Sequence, residues 1–118
     1  MPSLFEVSAG KLTGPTTGGT VTQATNKTTG VTLNTESGQI TMNNAALGAA
    51  AEASFTVTND KIAATDVVVV NHGSGGTAGS YLVGVTAVAA GSFEITVTNV
   101  SGGSLSEAIV LKYCIIKG

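Results

Sequence analysis

The sequence contains no arginine and no tryptophan, one histidine and one cysteine. Its five lysines, Lys11, Lys27, Lys61, Lys112 and Lys117, are scattered along a chain of net charge −2. Nucleic-acid binding calls for a clustered basic footprint, so direct DNA or RNA binding is not expected. A lone Cys114 forms no intrachain disulfide. Within the apolar run at 109–116 it reads as a small buried hydrophobe, not an activated thiol. One His and one Cys make no structural zinc set within one chain, and a metal shared by His72 from three copies would require a trimer. No stretch approaches the ~18 apolar residues of a membrane-spanning helix. The start, Met1-Pro2-Ser3-Leu4-Phe5-Glu6, has neither the basic nor the apolar region of a signal peptide. Neither a membrane nor a cofactor is therefore expected.

Charge is scarce as well, at 10% of the 118 residues against about 25% in an ordinary domain. What fills the chain is Ala, Gly, Thr and Val. This composition favours strands and tight turns and predicts a surface of Thr, Ser and Asn that can pack on a partner without desolvating many ions.

Alternation and turn residues predict about eight strands, at 20–24, 31–34, 39–42, 53–59, 65–72, 80–88, 92–99 and 107–117. Segment 43–52 predicts a turn or short helical turn between two sheets, with Leu47 inward. The fold class is all-β, a sandwich or jelly roll spanning 20–118, preceded by an extended arm at 1–19. In that arm Leu4, Phe5, Val7 and Leu12 are the candidate partner-binding residues. Two strands are apolar on both faces: 65–72, with Val67 and Val69 on one side and Val68 and Val70 on the other, and 107–117. Such a strand is covered twice, in the middle of the domain or where copies meet.

No catalytic constellation stands out. His72 reads as a solvated residue beside a Gly-rich loop. Gly73-Ser74-Gly75 lacks the spacing of a nucleophile elbow. The loop at 72–79 has no Gly-Lys-Ser/Thr ending and is followed by a strand, so it reads as a hairpin connection and not a phosphate cradle. The acids Glu6, Glu36, Glu52, Asp60, Asp66, Glu94 and Glu107 form no close pairs of the kind a glycosidase needs, and Asp66 reads as a partner for nearby backbone N–H groups. The chain is not expected to be an enzyme.

The blocks Ser37-Gly38-Gln39-Ile40-Thr41-Met42, Ser54-Phe55-Thr56-Val57-Thr58-Asn59, Ala64-Thr65-Asp66-Val67-Val68-Val69, Gly91-Ser92-Phe93-Glu94-Ile95 and 99–108 resemble sequences of tailed-bacteriophage virion proteins. The resemblance covers about residues 19–118 and is most like a capsid decoration, or cement, protein. It implies a homotrimer on the outer capsid surface, made in the host cytoplasm, that clamps the major capsid protein with an N-terminal arm ordering on the head. A tail fibre or spike module would instead bind a receptor or carbohydrate through the loops at 73–80 and 100–104.

Overall fold

The computed structural model describes residues 18–118 and the backbone of residues 6–8 and 11–13. Ten strands are formed: β1 (Glu6–Ser8), β2 (Lys11–Thr13), β3 (Thr20–Thr22), β4 (Val31–Thr32), β5 (Ser37–Thr41), β6 (Glu52–Thr58), β7 (Val67–Ser74), β8 (Tyr81–Ala89), β9 (Ser92–Asn99) and β10 (Val110–Ile116). The last eight make two packed four-stranded sheets, ordered β3-β5-β10-β7 and β4-β6-β9-β8. The protein is a β-sandwich. In each sheet the first pair is parallel (β3 with β5, β4 with β6) and the other pairs are antiparallel. A jelly roll joins antiparallel strands through Greek keys; the two parallel pairs decide for the plain sandwich.

Alternation builds the core. Phe55 and Val57 from β6, Phe93, Ile95 and Val97 from β9, and Leu111, Tyr113 and Ile115 from β10 point inward and are buried. The Ser and Thr residues between them on β6 and β9 point outward. Within the two four-stranded sheets only β8 and β9 are neighbours both in sequence and in a sheet. Ala90 and Gly91 join them, with Gly91 at φ +86°, a conformation free of Cβ cost only for glycine.

Segment 43–52 does turn between the two sheets, at Gly48–Ala51 and without helix, and Leu47 is buried as expected, bridged to Leu105. Other expectations are corrected. The valine run is not a middle strand: β7 ends its sheet, with Val68 and Val70 inward and Val67 and Val69 outward. The closing strand is shorter than 107–117, and β8 is the longest; Glu107 lies before β10, with its carboxylate bonded to Thr77 in the β7–β8 loop. The closing strand does lie inside its sheet, between β5 and β7. Within the segment expected as an extended arm, β1 and β2 pair with each other antiparallel.

Buried amides close the strand ends. Thr56-Val57-Thr58-Asn59 and Thr96-Val97-Thr98-Asn99 run antiparallel on β6 and β9, and both asparagines are fully buried. Asn59 Nδ2 donates to Leu33 O and Thr35 O, while its Oδ1 accepts from Lys61 N. Asn99 Nδ2 donates to Leu47 O and Gly103 O, while its Oδ1 accepts from Ser101 N. After Thr20-Val21-Thr22, the buried Gln23 donates to Lys27 O and Thr29 O. Each amide ties the strand end to backbone carbonyls of the adjoining loops and is itself fully hydrogen-bonded.

Candidate interaction surface

The edge strands β7 and β8 run together along one side of the sandwich, and β3 and β4 along the other. From Val67 through Phe93 there is no Asp, Glu, Lys or Arg, so both strands of the first side and the loop between them carry no charged side chain. Edge strands in natural proteins are ordinarily blunted by charge, proline or extreme shortness. β3 and β4 meet that rule with three and two residues. β7 and β8, with eight and nine, do not.

The exposed large apolar residues among those described are Val67 (56%), Val69 (45%), Leu82 (66%) and Val100 (56%). They form two patches. The β7–β10 register sets Val67 beside Ile116 and Val69 beside Cys114, all on the outer face of the first sheet. On β8, Tyr81 turns inward, which sends Leu82 to the outer face of the second sheet. Val100 N donates to Ser80 O at 2.9 Å, placing Val100 diagonally next to Leu82. The patches thus lie on opposite faces and toward opposite ends of the same uncharged side. Depletion of charge around exposed apolar side chains is the signature of a protein interface core.

Glu107 shapes the loop between β7 and β8. Its carboxylate accepts from Thr77 N (3.0 Å), Thr77 Oγ1 (2.8 Å) and Tyr81 OH (2.8 Å). The Tyr81 bond, then those from Thr77, hold the carboxyl below its ordinary range. Burial first, and the Glu107 bond second, push the Tyr81 phenol up to about 12. Gly76 is required here, at φ +68° and with Ile109 Cγ2 2.6 Å from where a Cβ would stand. Glu107 O accepts from the buried Lys27 Nζ at 2.7 Å, and Asn43 O accepts from the same ammonium. Burial lowers the Lys27 pKa.

His72 lies at the end of β7, where Nε2 donates to Gly75 O (2.6 Å) and the ring stands perpendicular to that of Tyr81 at 5.6 Å. It serves the loop backbone. Asp66 plays the structural part expected of it: Oδ2 accepts from Ala63 N and Lys117 Nζ, and Oδ1 from Gly118 N. Cys114 is half-buried, and burial, then Glu36, raises its thiol pKa, opposite to activation. Among the described residues no three His, Cys, Asp or Glu side chains are grouped to hold a metal. What this arrangement offers chemically is a docking surface.

Leu4 and Phe5 lie outside the described residues, whereas Val7 and Leu12 stand opposite each other in the β1–β2 pair. Where the described sandwich begins, Gly18, Gly19, Thr20, Ser37, Gln39 and Lys112 line a shallow groove of about 550 Å³. The loops at 73–80 and 100–104 are brought together by the Ser80–Val100 hydrogen bond. They offer no aromatic face, because Phe55, Tyr81, Phe93 and Tyr113 are all buried. Sequence reasoning missed the β7–β8 side, although its signal, the charge-free run from Val67 to Phe93, is plain in the sequence. No protein-family model, no curated protein and no solved structure matches this chain.

Proposed function

We propose that this chain is a capsid decoration protein of a tailed bacteriophage. In this reading it binds the outer surface of the head as a symmetric oligomer, a homotrimer, and braces contacts between major capsid subunits. The observation that carries the reading is the uncharged β7–β8 side with exposed Val67, Val69 and Leu82, and Val100 beside Leu82, a surface suited to protein contact. The resemblance of the sequence blocks to virion proteins supplies the setting. A clamp of this kind needs no active site and gains its avidity from several weak contacts made at once.

The test is to add purified protein to expanded heads stripped of decoration. Saturable binding and greater resistance of the heads to heat are expected; absence of binding overturns the reading. Deleting residues 1–18 is expected to weaken head binding while leaving the circular dichroism of the sandwich unchanged.

A second reading, a tail-fibre or spike module, is favoured by one observation, the meeting of the 73–80 and 100–104 loops. The burial of every described aromatic ring weighs against a sugar-stacking site there. Binding on a glycan array, lost on replacing Thr77 and Ser101 by Ala, would decide for it.

A further inference from the structure

The two apolar patches differ in composition, face and position, and this bears on how copies of the chain meet. Val67 and Val69 stand on the outer face of the first sheet, toward the end where Asp66 is tied to Lys117. Leu82 and Val100 stand on the outer face of the second, toward the end where Asn99 closes the loops. Each pair is small, and β7 and β8 themselves carry no charged side chain. A closed ring with an odd number of copies requires two different surfaces on each protomer, one received by the next, whereas a two-fold contact uses one self-complementary surface.

We propose that copies of this chain join head to tail, the Val67/Val69 patch of one protomer packing against the Leu82/Val100 patch of the next, so that the ring closes. This rests on the oligomeric reading above. The occupant is a second copy because one chain carries two complementary halves, both aliphatic: the valines share their outer face with the exposed Lys112 of β10, and Leu82 shares its own with the exposed Glu52 of β6, so the flanking charges are of opposite sign. Val67, Val69 and Leu82 lie on edge strands left without charge or proline, as is expected where assembly covers them; Val100, just past the end of the interior strand β9, adjoins Leu82. Cys114 and Ile116, beside Val69 and Val67 on the outer face of β10, extend the first patch inward.

The experiment is native mass spectrometry of the full chain, of Val69→Lys, of Leu82→Lys and of an equimolar mixture of the two variants. The full chain is expected as a trimer and each variant alone as a monomer. The mixture is expected to give a one-to-one dimer, because each variant keeps the patch that the other has lost. Val69→Thr and Leu82→Thr, which keep strand propensity, serve in the same design if a lysine variant fails to fold. An oligomeric full chain whose variants do not complement overturns the head-to-tail contact and leaves the oligomeric reading standing. A full chain that stays monomeric at high concentration overturns both.

Discussion

Asn59 and Asn99 do the same work at opposite ends of the sandwich. Each follows a Thr-Val-Thr segment, is fully buried, and gives its amide hydrogens to two backbone carbonyls, Leu33 O and Thr35 O for Asn59, and Leu47 O and the nearby Gly103 O for Asn99. Replacing either by alanine removes those two bonds and takes away the side-chain acceptor of a backbone N–H, Lys61 N or Ser101 N. Asn59→Ala and Asn99→Ala are expected to cost about 2–4 kcal/mol each, for three hydrogen bonds at roughly 0.5–1.5 kcal/mol apiece. Asn34→Ala, at an exposed site with one bond to Asp60 N, should cost under about 1 kcal/mol. Urea unfolding monitored by circular dichroism measures all three.

Asp66 gives the fold an acid limit. The bond from Lys117 Nζ, at 2.5 Å, and then those from Gly118 N and Ala63 N hold its carboxyl down at about 2. The folded value lies below the unfolded one, near 3.9. Its stabilisation is therefore complete above about pH 4 and is lost as pH falls toward 2. Lys117→Met is expected to raise the Asp66 pKa and move acid unfolding to higher pH. Carbon-detected NMR titration of the Asp66 carboxyl reads the first change. An unmoved titration would show that the lysine does not hold the carboxylate.

Both tyrosines resist ionisation, chiefly through burial. An ultraviolet titration near 295 nm is expected to show no phenolate step at pH 10, the ordinary tyrosine value. Because the folded pKa values are raised, this contribution to stability is whole below pH 10 and falls as pH rises toward 12. Glu107→Gln removes the carboxylate beside Tyr81 OH and should bring the Tyr81 step to lower pH, leaving Tyr113 in place.

Ala50 sits at φ 62° in the turn before β6, the one non-glycine residue described with positive φ. Its N donates to Asn99 O, so the conformation is held from outside. Ala50→Gly removes the Cβ strain of the left-handed region and adds unfolded-chain entropy. The balance is an expected gain of about 0.5–1 kcal/mol, visible as a raised thermal midpoint.

The parts legible in the sequence are those fixed by local alternation. β9 occupies the expected residues, and the inward stripes Phe55/Val57 and Phe93/Ile95/Val97 are where period two places them. The valine run shows where that logic stops. Apolarity on both faces does not distinguish a strand inside a sheet from an edge strand whose outer face awaits a partner, and only strand order separates them. Lys27 was equally opaque. It lies in a turn by composition, yet its ammonium is buried against the carbonyls of Asn43 and Glu107. Those acceptors are main-chain atoms and leave no trace in side-chain identity. The three Thr-Val-Thr segments read as strand composition; the signal worth reading was the amide residue after each.

The place of β10 between β5 and β7 has a consequence for how the protein is made. During synthesis β5 and β7 emerge with a strand-wide gap between them, and the residues that fill it, 110–116, come last. Within the sandwich the one sheet pair made by consecutive strands is the β8–β9 hairpin. A sheet whose interior strand follows both of its neighbours cannot be built strand by strand. Closure of the core waits for β10 and is dominated by contacts distant in sequence, with the slow folding such topologies bring. Until β10 emerges the valine strand β7 lacks its sheet neighbour, and the nascent chain is then most exposed to mispairing.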